Sequence, residues 1–197
     1  MTKKKFVVCM ILCCIGLCCC LSSLFFIFGL RHCKKIAVDF NCDEIVVSEE
    51  VKYKFLGSEI SDYICELSNE LQLDPDLVVA ILMTENPEFN PEATHRNENG
   101  TIDVGLFQLN DYYLWSTFKK DYWFENIELN PFNWKHNTYI ALHHIQFLQG
   151  RLKVVDDVVM AYNGGIGAVM NGEVKPSTYV YLAKVKNNMW LLKNCKE

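Results

Sequence analysis

A mostly α domain carried behind one transmembrane helix is the architecture this 197-residue sequence predicts, and three observations predict it. Residues 6–30 form an apolar run without one charged, His, Asn or Gln side chain. Beyond residue 57, apolar residues recur at spacings of three and four, the stripe of amphipathic helices. Between the helical stretches lie Gly, Pro and Asn signals that start and stop helices rather than the alternation of strands. With 50% hydrophobic and 22% charged residues, and 10 Gly plus 5 Pro, a disordered or collagen-like chain is excluded. The length suits one domain with an appendage.

The apolar run comes first. Its 25 residues, as a helix rising about 1.5 Å per residue, reach across a hydrocarbon core of about 30 Å with some tilt. Lys3, Lys4 and Lys5 precede it and favour an N-terminus on the cytoplasmic side, while Arg31, Lys34 and Lys35 after it weaken that vote. A cleaved signal peptide needs a small-x-small site, and Phe28, Gly29, Leu30 and Arg31 offer none that convinces, so an anchor is the better reading. Residues 1–35 are therefore assigned to a membrane anchor, 36–57 to a stalk or linker and 58–197 to the main folded domain. Six of the ten cysteines fall inside the run, where Cys behaves as a small hydrophobe. Cys33, Cys42, Cys65 and Cys195 remain, without a C-x-x-C pair, which leaves one disulfide open and argues against zinc.

The stalk lacks a clear period, although residues 44–47 and 51–55 are compatible with a small hairpin. Ile60, Ile64, Leu67 and Leu71 then mark a first amphipathic helix. Asp74 followed by Pro75 is an N-cap with proline at the first helical position, opening an apolar helix that Pro87 stops near Glu85. Residues 87–104 are polar and turn-rich, a small loop or β-hairpin region with Asn99-Gly100 as its tightest turn. Further helices are expected over 137–149, ended by Gly150, over 156–163, ended by Gly164-Gly165, and over 177–192. Asp156 and Asp157 are read as caps of the middle one.

Charge narrows the partners. From Ile36 onward there are 13 basic against 24 acidic residues, so the domain repels phosphates and nucleic acid is excluded as a partner. A neutral or cationic substrate fits better. Glu85 closes an apolar helix, where the negative end of the helix dipole and the loss of water both disfavour a carboxylate and raise its pKa. A carboxyl with a raised pKa is a proton donor, although a Glu at a helix end is usually solvated surface.

What singles out Glu85 is its company. Phe89-Asn90-Pro91-Glu92-Ala93 follows it, then Gly105-Leu106-Phe107-Gln108, then Ala161-Tyr162-Asn163-Gly164-Gly165, then Thr178 with Tyr181-Leu182-Ala183-Lys184-Val185. In this order the four segments resemble the soluble lytic transglycosylase (SLT) family, with its catalytic Glu and its F-N-P-x-A, G-L-M-Q, A-Y-N-x-G and T-x-x-Y-V-x-K-V segments. The resemblance covers about residues 60 to 190. Phe107 stands in the methionine position. Phe89 lies four residues after Glu85 instead of three, so a residue beside Pro87 must bulge out, and Asn86 replaces the usual Ser. The stretch from Asn97 to Asn110 also resembles animal-type lysozymes, whose second carboxylate aligns with Asp103.

The resemblance implies a lysozyme-like (goose-type) domain that cleaves the MurNAc-β-1,4-GlcNAc bond of peptidoglycan and closes a 1,6-anhydro ring. Glu85 is then the single general acid and base, and Gln108, Tyr162, Asn163, Tyr181 and Asp103 line the substrate site. No cofactor is implied. Peptidoglycan glycan strands are the partner, with an envelope-spanning secretion or conjugation machinery left open, and the catalytic domain lies outside the cytoplasm. Two rivals stand beside this reading: a hydrolytic muramidase using Glu85 and Asp103, and a peptidoglycan-binding module without turnover. His136, His143 and His144 carry no H-E-x-x-H pattern, and adjacent histidines on a helix point about 100° apart, so no metal site is expected. Trp115, Trp123, Trp134, Tyr112, Tyr113 and Tyr122 are read mainly as core or cleft wall rather than as sugar-stacking rings.

Overall fold

The computed structural model describes residues 53–115 and 129–194. The expected membrane span at residues 6–30, most of the stalk, Cys33, Cys42, Cys195, Tyr122 and Trp123 lie outside these residues. Among the described residues no helix is long and apolar enough to cross a membrane. The body is mostly helical with a small antiparallel sheet.

Tyr53 and the 3-10 turn Lys54–Leu56 open the described chain. This end of the expected 51–55 strand is not extended, because Tyr53 and Leu56 are drawn into the core. The Tyr53 hydroxyl donates to Asp76 Oδ1 at 2.6 Å and its backbone N–H to Ser61 Oγ at 3.1 Å. Residues assigned to the stalk are thus part of the packed body.

Helix α1 spans Ser58–Glu70 and buries Ile64 and Leu67, the middle of its predicted stripe. It ends without glycine: Gln72 takes the left-handed conformation (φ 57°), and the Leu73 N–H closes the turn on the Ser68 carbonyl at 2.8 Å. Helix α2 spans Pro75–Glu85, with the Asp74 carboxylate accepting from the Asp76 N–H at 2.9 Å. Every side chain from Leu77 to Met83 is at most 1% exposed, so α2 is a core helix buried all round rather than an amphipathic one.

Strands β1 (Thr94–Arg96), β2 (Ile102–Val104) and β3 (Leu109–Asn110) form the sheet in the order β1-β2-β3. Helix α3 (Trp134–Arg151) starts three residues earlier than expected because the Asn133 side chain caps it, accepting from the Lys135 and His136 N–H groups. It also runs through Gly150: Leu148 is fully buried, and the Leu152 N–H still reaches the Leu148 carbonyl at 2.8 Å. Packing here outweighs the roughly 1 kcal/mol a glycine costs in a helix.

Helix α4 (Val155–Gly164) begins after Val154, so Asp156 and Asp157 occupy its first turn and are not caps. Asp156 instead pairs with Lys186 at 2.8 Å on the surface. A short α5 (Ile166–Asn171), which the sequence pattern did not indicate, follows Gly165. Helix α6 (Pro176–Asn194) closes the body. It packs most extensively along α2, while α1 covers another side of α2 and α4 joins α3, α5 and α6. The last turn of α2 is therefore held from several sides.

Candidate active site

Glu85 is the last residue of α2, and the chain leaves the helix at Asn86 (φ −145°). The extra residue forms a turn in which the Phe89 N–H donates to the Asn86 carbonyl at 3.0 Å. Pro87 and Glu88 stand out into solvent. Phe89 adopts φ 51° and its ring packs 5.3 Å from that of Phe55. A non-glycine residue in this region is strained, and the strain is held by Asn86. Its side chain, 4% exposed, donates to the Asn90 carbonyl at 2.7 Å and accepts from the Asn90 N–H at 3.2 Å. Asn86 does locally what a hydroxyl is too short to do twice.

The Glu85 carboxylate accepts a 2.6 Å hydrogen bond from the Tyr181 hydroxyl on α6. Burial pushes its pKa up to about 8 against the Tyr181 hydrogen bond, which pulls it down; the Asp103 charge adds to the rise and Lys184 offsets part of it. Tyr181 is itself 8% exposed, and its phenol is held well above the usual range by burial and then by the Glu85 charge. Tyr162 on α4 donates to the Phe107 carbonyl at 3.1 Å. Burial raises its pKa as well, followed by the charges of Glu85 and Asp103. These groups thus share one electrostatic environment.

The sheet supplies the facing wall. Asp103 sits on β2, opposite His95 of β1 and Asn110 of β3, and its Oδ1 accepts from Asn110 Nδ2 at 2.7 Å. It is a strand residue, not a member of the Asn99-Gly100 turn, where Gly100 has φ 86° and the Asn97 N–H pairs with the Thr101 carbonyl. Gln108 takes φ 47° at the end of the turn between β2 and β3. Its amide Nε2 donates to the Gly105 carbonyl at 2.8 Å and the Ala93 carbonyl at 3.2 Å, tying the turn to the F-N-P-x-A segment.

Asn163 is exposed, and its Oδ1 accepts from Thr178 Oγ1 at 3.1 Å. Thr178 lies three residues before Tyr181 on α6, so one face of that helix touches both the A-Y-N-x-G segment and Glu85.

The structure adds a residue that no motif indicated. Asn137 on α3 is fully buried; its Oδ1 accepts from the Phe107 N–H at 2.7 Å and its Nδ2 donates to the carbonyls of Val104 (3.0 Å) and Pro131 (3.1 Å). Gly105, at φ 78°, leaves room for it: a Cβ there would stand 2.3 Å from Asn137 Nδ2 and 2.5 Å from the Pro131 carbonyl oxygen. The available signal was spacing, since Asn137 lies four residues before Ala141 and eight before Ile145, on the buried face of its helix.

The remaining candidates disperse. Tyr112 and Tyr113 are 67% and 61% exposed, so they are not core. The reason is local: Asn110 Oδ1 accepts from both their N–H groups and turns the chain outward as β3 ends. Trp134 packs edge-on against Tyr63. His136 Nδ1 accepts from the Asn130 N–H, while His143 bonds the Tyr139 carbonyl. His144 packs against Phe147 and Tyr162, and burial lowers its pKa to about 4, which keeps it neutral. Among the described residues no three His, Cys, Asp or Glu side chains gather as a metal site would require.

The profile of the Transglycosylase SLT domain matches residues 62–179. Among solved structures, an inactive mutant of the lytic transglycosylase Slt from Pseudomonas aeruginosa is similar at a TM-score of 0.47 and 14% identity, over 72% of this chain. The likeness spans only 23% of that protein's length. No curated protein matches the chain. The matched segment takes in Glu85, Asp103, Gln108, Tyr162, Asn163 and Thr178 and covers more than half of the sequence, and the chain belongs to the Transglycosylase SLT domain family.

Proposed function

We propose that this chain is a peptidoglycan lytic transglycosylase that cleaves the MurNAc-β-1,4-GlcNAc bond and leaves 1,6-anhydro-MurNAc ends, with Glu85 as its acid and base. One observation carries the reading: a half-buried carboxyl with a pKa of about 8, held by a tyrosine hydroxyl at 2.6 Å. At neutral pH such a group keeps its proton and gives it to the glycosidic oxygen as the bond to the anomeric carbon breaks. The carboxylate that remains is stabilised by the Tyr181 hydroxyl. It then takes the proton of the C6 hydroxyl as that oxygen bonds to the anomeric carbon, which closes the ring and restores the acid. Gln108, its Nε2 engaged by backbone carbonyls, offers Oε1 to an acetamido N–H, and Asn163, its Oδ1 occupied by Thr178, offers Nδ2 to a sugar oxygen.

The hydrolytic rival draws support from Asp103, whose charge acts on Glu85 and Tyr162. Its Oδ1, however, accepts from Asn110, which fits a residue that orders the sheet. The products decide between the two. Mass spectra of digested sacculi are expected to show anhydro ends; Glu85→Gln abolishes clearing while sacculus binding persists, and Asp103→Asn costs about fivefold, the scale of one hydrogen bond. Reducing MurNAc ends with a loss of roughly a thousandfold or more in a folded Asp103→Asn enzyme would establish a muramidase. Stable binding by wild type without any clearing would establish a binding module. The location proposed is the outer side of a membrane, with the anchor's N-terminus inside.

A further inference from the structure

Helix α6 buries a single stripe of side chains, Thr178, Tyr181, Val185, Asn188 and Leu192, at spacings of three and four. Thr178 and Tyr181 are engaged at the candidate site. Asn188, 3% exposed, is a buried amide about two turns beyond Tyr181 that no motif and no step of the proposed reaction uses. Its Nδ2 donates to Thr84 Oγ1 at 2.9 Å and lies 3.4 Å from the Ala80 carbonyl oxygen. Thr84 is the residue immediately before Glu85, and its own hydroxyl donates to the Ala80 carbonyl at 2.8 Å. Without Asn188 the Thr84 proton and the Ala80 carbonyl would therefore still be paired. An apolar side chain, like the neighbouring Val185 and Leu192, would also spare the desolvation of an amide. Hydrogen bonding within α2 does not call for an amide at this position.

We infer that Asn188 is a positioning residue: through Thr84 it fixes the last turn of α2 against α6 and so keeps the Glu85 carboxyl within reach of the Tyr181 hydroxyl. The inference rests on Glu85 being the acid of the proposed reaction. Helix α2 ends with Glu85, and the chain beyond enters a turn with Phe89 at φ 51°, so no further helical turn steadies the carboxyl from that side. Thr84 and Glu85 point about 100° apart around the helix, and α6 holds the first with Asn188 and the second with Tyr181. Two contacts on adjacent residues fix both the slide and the rotation of that turn, whereas Tyr181 alone leaves it free to roll about the phenol. The titratable groups coupled to Glu85 are Tyr181 and Lys184 from α6, Asp103 from β2 and Tyr162 from α4. A roll that lengthens the Tyr181 contact weakens the hydrogen bond that pulls the Glu85 pKa down.

The test uses the full chain and follows turnover of soluble peptidoglycan strands across pH. Asn188→Leu removes the amide at similar volume, Thr84→Val removes its acceptor, and Thr84→Ser keeps that acceptor. Asn188→Leu and Thr84→Val are each expected to lower kcat about tenfold with KM within about twofold, and to move the alkaline limb to higher pH as Tyr181→Phe does. Thr84→Ser is expected to behave as wild type. In a Tyr181→Phe background Asn188→Leu should cost less than about twofold more, because the contact it protects is already gone. A merely destabilised enzyme loses rate through its folded fraction and keeps its limb in place. An unmoved or lowered limb in either variant, or a loss that multiplies in full with that of Tyr181→Phe, would overturn the inference. If Glu85→Gln is inactive and Tyr181→Phe moves the limb while Asn188→Leu does not, the inference fails and the reading of Glu85 stands. An active Glu85→Gln enzyme defeats that reading, and the inference with it.

Discussion

At Glu85 the fold maintains an acid at a cost to its own stability. In the unfolded chain this carboxyl titrates near 4.5, whereas in the folded state it titrates near 8. Below pH 4.5 both states are protonated and the group contributes nothing. As pH rises from 4.5 toward 8 only the unfolded state releases its proton, so stability falls across that window and levels off above it. A Gln side chain keeps the shape and has no proton to lose. Glu85→Gln is therefore expected to match wild type at pH 4 and to exceed it at pH 7.5 by about 1–2 kcal/mol after allowance for solvent screening. Thermal unfolding at the two pH values checks this; equal melting temperatures at pH 7.5 would show that Glu85 is ionised in the folded protein. Tyr181 acts on the same balance in the opposite direction, since its hydrogen bond pulls the Glu85 pKa down. Tyr181→Phe should move the alkaline limb of the activity profile to higher pH while lowering the rate, because the carboxylate loses its partner. An unmoved limb would mean that Glu85 does not set it.

The elements that were legible in the sequence are those whose signal is local. Asp74-Pro75 and Pro87 bracket α2, and the structure places the helix at Pro75–Glu85, ending at the candidate acid itself. Gly164-Gly165 marked the end of α4, and a bulge after Glu85 followed from one extra residue. What escaped carries neither a period nor a motif. Helix α5 has six residues and buries none of them fully, too few to show a period. The exposure of Tyr112 and Tyr113 depends on how Asn110 turns the chain, not on their hydrophobicity. Asn137 reaches back 30 residues to Phe107 and 33 to Val104, and so no motif window contains it. This buried amide holds the turn that carries Gln108, and its deletion leaves the Phe107 N–H and two carbonyls without it. Asn137→Ala should cost about 2–4 kcal/mol in denaturant unfolding and lower activity in the folded fraction. Gly105→Ala, where the new Cβ would meet both Asn137 and the Pro131 backbone, should be at least as severe. A loss below about 0.5 kcal/mol in both variants would show that the turn is held by other means.

At the scale of the whole chain the question is where the folded body begins. Composition placed the boundary at Ser58, after a stalk without periodicity, yet Tyr53 is 1% exposed and Leu56 6%, and both belong to the packed body. Tyr53 also satisfies the buried carboxylate of Asp76 in the first turn of α2, the helix that ends at Glu85. A chain cut before Ile36 keeps these contacts, and we expect it to fold and to stay in solution if residues 6–30 are what tie the protein to a membrane. A chain cut before Ser58 loses two core side chains and leaves Asp76 without that donor, a loss of roughly 4–6 kcal/mol against the 5–15 kcal/mol that holds an ordinary domain together. The two truncations therefore separate anchoring from folding. Fractionation with carbonate extraction reads the first, and unfolding curves with sacculus clearing read the second. The shorter cut should release an active, cooperative domain from the membrane pellet, and the longer cut should aggregate or melt well below it. Membrane retention of the chain that starts at Ile36 would locate the attachment outside the apolar run, and equal stability of the two chains would return Tyr53 and Leu56 to the stalk.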